Sequence, residues 1–162
     1  MTDTDSPPDL LAAIIGAPAG SPVDRIRRDR PDIVRHSQGS HDVLLSPRDP
    51  GGVSPAERAL IAWRVADLSG HMALAAHYRA MLDQRDKAMA DAAPDPRLAT
   101  ILAHVVRLVT APGTATKAHI DALLATGLTG RDIVAVSQLV AFVAYQVRAA
   151  AGLALLVRDP AA

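Results

Sequence analysis

Between Ile133 and Val157 the chain carries one charged side chain, Arg148, and its other clearly polar side chains are Ser137, Gln138 and Gln146. Read as a helix from about Gly130, this stretch is about 40 Å long and apolar on nearly every side. Two environments accept such a helix: a lipid bilayer or a protein core. Arg148 well inside the run, the lack of an interfacial Trp, and amphipathic helices elsewhere argue for the core. A chain of 162 residues struggles to surround a helix of this length unaided, so contact with another copy of the chain is expected.

The rest of the composition fits helices packed closely on helices. Apolar residues make up 49% of the chain but aromatics only 2%, so the core must be built from Ala, Leu, Val and Ile. Period-two alternation is scarce, which disfavours a sheet. Lys plus Arg equal Asp plus Glu at 17 each, which argues against a dedicated nucleic-acid or anionic-membrane binder. The absence of cysteine removes disulfides, thiolate metal sites and thiol nucleophiles. No cofactor motif is recognisable. The opening MTDTDSPPDL lacks the basic flank and cleavage site of a signal peptide, so a cytoplasmic protein is expected.

Helix starts are spelt out three times as Ser-Pro-x-acid: Ser6-Pro7-Pro8-Asp9, Ser21-Pro22-Val23-Asp24 and Ser54-Pro55-Ala56-Glu57. They make an all-α fold the expectation. Residues 1–5 read as a loose tail and residues 1–50 as an N-terminal helical arm packed on a core of residues 51–162, within one structural domain. The arginines of Asp24 to Arg30 alternate with acids, so a salt-bridged face is favoured over phosphate binding. Pro31 opens a helix expected to turn Ile33, Val34, Leu44 and Leu45 inward, and Asp49-Pro50-Gly51-Gly52 reads as a linker. Thr116 is a candidate cap, Gly127 suits a left-handed position, and Thr129 to Asp132 cap the long last helix.

Ser69-Gly70 is read as a hinge between two helices, the second carrying His71, His77 and Tyr78. His77 is the best candidate for an acid–base side chain. His71 precedes it by six residues and points roughly 120° away on a helix, a poor arrangement for a metal. Asp67 and His71 would pair only if the helix continued through the hinge. Trp63 is expected at an interface or under the arm. His104 and His119 read as ordinary helix residues, and His36 and His41 as arm residues without an evident partner. A small carboxylate site would form if Arg148 approached His77.

Ser54 to Ala62, the hinge, and Ala76-His77 resemble the core of the carboxymuconolactone decarboxylase and alkylhydroperoxidase (AhpD-like) superfamily. Leu124 to Ile133 is similar to that family's L-x-x-G-L-(S/T)-x-x-(D/E)-I lead into its long last helix, and the likeness covers roughly residues 54–150. The arm, with Arg27, Arg30-Pro31 and Val43-Leu44-Leu45, resembles a cysteine-less subgroup. The resemblance implies an AhpD-like helical domain with a long buried C-terminal helix, assembled as a homo-oligomer. At the family's peroxidase positions Gly70 and Ala73 replace the two cysteines, Arg58 replaces the relay Glu and Met72 the relay His, while His77 is retained. Ala73 also stands where the decarboxylase members place a Glu.

Peroxide reduction of this type needs a thiolate and a resolving thiol, and neither Gly nor Ala supplies one. Two functions stay open. One is a non-peroxidatic structural or partner subunit of a helical oligomer, beside copies of itself or a cysteine-bearing relative. The other is a cysteine-independent lyase or decarboxylase, with His77 moving the proton and Arg148 orienting a small carboxylic acid.

Overall fold

The computed structural model describes residues 9–82, 86–87 and 91–158. Among these residues the protein is all-α, with no strand. The helices are α1 (Leu10–Ile14), α2 (Pro22–Arg28), α3 (Pro31–Leu45), α4 (Pro55–Leu68), α5 (Met72–Ala80), α6 (Pro96–Thr110), α7 (Lys117–Ala125) and α8 (Gly130–Arg158). A 3-10 turn at Pro112–Thr114 joins α6 to α7.

Most helices start where a short polar side chain can take the first free amides. Ser54 Oγ accepts the Glu57 amide at 3.2 Å and Glu57 Oε2 accepts the Ser54 amide at 2.8 Å, closing a capping box on α4. Ser21 Oγ accepts from the Asp24 amide at the head of α2, and Asp95 does the same for α6 through Leu98. The cap of α1 is Asp9, which accepts from Ala12, and Ser6 and the 1–5 tail lie outside the described residues. Gly127 is left-handed at φ +89°, as the end of α7 requires.

The hinge is a true helix end. Gly70 is left-handed at φ +71°; its amide donates to Asp67 O at 2.9 Å and the His71 amide to Ala66 O at 3.0 Å. That pair of bonds stops α4 and lets His71 Nδ1 cap α5 through the Leu74 amide at 3.3 Å. Asp67 therefore pairs with Arg64 at 3.1 Å, and the helix-continued pairing of Asp67 with His71 does not form.

Helix α8 is the hub of the bundle, touching α1, α2, α3, α4, α6 and α7. Its inward residues recur at heptad-like spacing: Val136, Leu139, Val140, Val143, Gln146 and Ala150. The expectation of burial on every side is corrected within one chain. Val134, Tyr145 and Leu155 are exposed, and only 28% of the helix's most apolar window is buried. By length and composition α8 also meets the measure of a membrane span.

The arm is bound into the same core through Leu11 and Leu45, each 2% exposed or less, and its Val23 is buried as well. Within α3 the inward stripe is Val34, Ser37, Gln38, His41, Leu44 and Leu45; Ile33 lies off it, 47% exposed, contrary to expectation. The arginine-rich turn is salt-bridged as expected. Arg27 grips Asp9 with two bonds of 2.6 and 2.8 Å, and Arg28 pairs with Asp24 at 2.9 Å. Trp63 sits beside Pro94 and Leu98 rather than under the arm, with the Arg79 guanidinium 4.9 Å from its ring centroid.

The stretch expected as a linker is fastened to the head of α8. Asp132 is 4% exposed; its carboxylate accepts from Gly52 N at 2.8 Å, Thr129 N at 2.8 Å and Thr129 Oγ1 at 2.7 Å. A Cβ on Gly51 would stand 2.5 Å from Asp132 Oδ1, and Gly51 is left-handed at φ +62°, so a side chain is excluded twice over. Arg131 pairs with Asp49 at 2.6 Å, and Arg97 reaches both Glu57 and Gly52 O.

Candidate functional site

His77 lies in the last turn of α5, half-buried, and faces the arm. Its Nε2 stands 3.5 Å from Nε2 of His41 on α3, with ring centroids 5.7 Å apart. Beside it Tyr78 is fully buried, and its hydroxyl donates to Oε1 of Gln146 on α8. The His41 ring stacks over Tyr78 at 6.2 Å and 21°, and His77 meets Tyr78 edge-on at 5.0 Å. Three elements far apart in sequence thus bring two imidazoles, a phenol and an amide into one polar cluster within an apolar core.

Burial disfavours charge on His77 and on Tyr78. Burial, with His41 adding to it, lowers the His77 pKa below the ordinary histidine value, so the uncharged imidazole is favoured. Burial also holds the Tyr78 phenol well above its ordinary value, and the phenol remains a hydrogen-bond donor. His41 Nδ1 lies 3.1 Å from Oδ1 of Asp42, which also accepts from Gln38 Nε2 at 2.9 Å. That carboxylate favours the tautomer with the proton on Nδ1, leaving His41 Nε2 as the acceptor for His77.

Little room remains. A cavity of about 10 Å³ opens beside His41, lined by Asp9, Arg27, Ser37, Gln38 and Gln146, enough for roughly one water. From the arm, His41 stands directly against His77.

The other sequence candidates do not join this cluster. Arg148 is exposed, donates to its own helix at Ala144 O (3.2 Å), and borders a groove with Ser69, Leu108 and Val147. It follows Gln146 by two residues, a rotation of roughly 200° about α8, so Gln146 rather than Arg148 reaches the α5 side. The expected His77–Arg148 carboxylate site is not formed. Arg58 is 5% exposed and entirely structural: Nε, Nη1 and Nη2 donate at 2.9 Å to Val53 O, Leu44 O and Pro50 O. Met72, 74% exposed, and Ala73 occupy the exposed first turn of α5, while Gly70 precedes that helix's cap.

Sequence reasoning missed His41 and Gln146. The signal was available in α3, where Ser37, Gln38 and His41 occupy the inward stripe between Val34 and Leu45, and polar side chains there need an internal partner. His104 was also underread: it is 5% exposed, with neither ring nitrogen hydrogen-bonded among the described residues. Burial lowers its pKa, so it sits in the core as a neutral ring. Among the described residues no three His, Asp or Glu side chains are grouped to hold a metal ion. Compared with known proteins, the chain matches no family model and no curated sequence.

Proposed function

We propose that this chain is a carboxymuconolactone decarboxylase/AhpD-like protein without thiol peroxidase chemistry, serving as a structural subunit of a homo-oligomer. One observation carries the reading. His77, the one family catalytic position retained, is met by His41 of α3, and the cavity on the far side of His41 has space for roughly one water. A site packed by its own chain is suited to holding an arm in place rather than to turning over a substrate. The outward side of α8, flanked by open grooves of about 480 and 570 Å³, is the surface on which copies would meet.

A second reading is favoured by the neutral, half-buried His77 beside another imidazole, a pair able to exchange a proton with a bound acid. One experiment separates the two: light scattering at micromolar concentration, followed by a thermal-shift screen with small carboxylic acids on wild type and His77→Ala. The structural reading expects an oligomer whose melting temperature no carboxylate raises. A stable monomer overturns it. An acid that stabilises wild type but not His77→Ala establishes the enzyme reading instead.

A further inference from the structure

The contact between His41 and His77 joins arm to core through two imidazoles, a side chain whose hydrogen-bonding roles change when it takes up a proton. As neutral rings they satisfy each other, His77 Nε2–H donating to His41 Nε2 across 3.5 Å. One added proton leaves a donor and an acceptor if it settles on His77 Nδ1. With both rings protonated, each Nε2 is a donor, no acceptor remains between them, and two positive charges face each other.

Neighbouring charges compensate only one side. From α3, Asp42 touches His41, but its side chain is 62% exposed and screened by water. From α1 and α2, Asp9 and Arg27 line the cavity beside His41 but are committed to each other. From α5 and α8 the facing groups are Tyr78 and Gln146, both neutral. Among the described residues no carboxylate is bonded to His77.

The helix carrying His41 is fastened at its ends and weak between them. Val34 and Leu45 are buried, and Arg58 holds Leu44 O, whereas Ser37, Gln38 and His41 are the inward residues of the middle. Gly39 and Ser40 stand on its exposed side, both poor helix formers, and a glycine inside a helix weakens it further. We propose that the His41–His77 contact is a proton-controlled latch. Neutral, it holds the middle of α3 against α5; doubly protonated, it drives that segment outward and opens His77, Tyr78 and Gln146 to solvent. The latch does not depend on how copies of the chain assemble.

Hydrogen exchange of the full chain at about pH 7.5 and about pH 5, corrected for intrinsic rates, tests it across the histidine titration range. Amide protection over residues 36–43 should fall by about tenfold or more at the lower pH, the equivalent of one displaced titration unit. Helices α4 and α8 should keep theirs. His41→Gln and His77→Gln, each keeping a neutral polar side chain, should abolish the pH dependence while leaving far-UV circular dichroism unchanged at neutral pH. Equal protection of 36–43 at both pH values, or an undiminished loss in His41→Gln, overturns the latch. Should a variant unfold, histidine NMR titration of the wild type decides. Uptake of both protons with α3 protection intact overturns the latch, and loss of protection in step with the second proton supports it.

Discussion

Arg58 directs every guanidinium nitrogen at a backbone carbonyl, and the three carbonyls belong to the end of α3, the loop after it and the residue before the α4 cap. Burial disfavours its charge, while Asp132 opposes that effect through space. Arg58→Met would leave three carbonyls without their donor and loosen the arm–core junction. At about 1.5–3 kcal/mol for a hydrogen bond to a charged group, partly offset by removing the buried charge, a loss of about 3 kcal/mol is expected in urea unfolding. Arg58→Lys should fall between the two, because an ammonium on one stem cannot span three acceptors. A Met variant as stable as wild type would show that water satisfies these carbonyls. In the sequence Arg58 read as a replaced relay residue; its real task depends on where residues 44, 50 and 53 fold, which local spacing does not encode. Asp132 was legible as a cap for α8 but not as the acceptor for Gly52, and Thr129, through both its hydroxyl and its amide, holds that carboxyl below its ordinary pKa.

Helix ends were the most legible features because capping is local chemistry. Ser21, Ser54 and Gly127 stand where their residue types predict, and Asp9, another good acceptor, caps α1. The hinge was legible too, but its geometry sharpens what Gly70 can be. With φ at +71° it lies before the cap of α5, outside the first turn whose free amides would stabilise a thiolate. Installing Gly70→Cys with Ala73→Cys should therefore yield at most weak alkyl hydroperoxide reduction with a dithiol donor. It should also cost about 1–2 kcal/mol, the penalty of a side chain in the left-handed region. Robust turnover would mean that the hinge rearranges to bring both thiols onto the helix. What stayed hidden at this scale was the partner of each face. The stripe of α3 is polar in its middle, and only the packed structure shows that His77 and the cavity beside Gln146 lie opposite.

Across the whole molecule the expectation from α8 divides in two. One face is the centre of the bundle, as its apolar run required; the other is uncovered and bordered by two grooves that share Ser137 and Ala141. Composition foretold an apolar helix but could not divide its faces, since hydrophobicity all round carries no phase. Ala141→Asp places a charge on that shared ridge without touching the inward stripe. If the ridge is the contact between copies, light scattering should show a shift to smaller species, while the fold stays within about 0.5 kcal/mol of wild type in stability. An unchanged mass would place the contact elsewhere. The central position of α8 also has a consequence for the order in which a ribosome delivers this chain. The first three helices all lean on α8, and Gly52 waits for Asp132, its partner 80 residues downstream. Emerging first, the arm cannot find its seat until the last helix has left the exit tunnel. Until then Leu11, Val23 and Leu45 lack the cover that α8 gives the arm, so the arm is where a chaperone's shelter matters most.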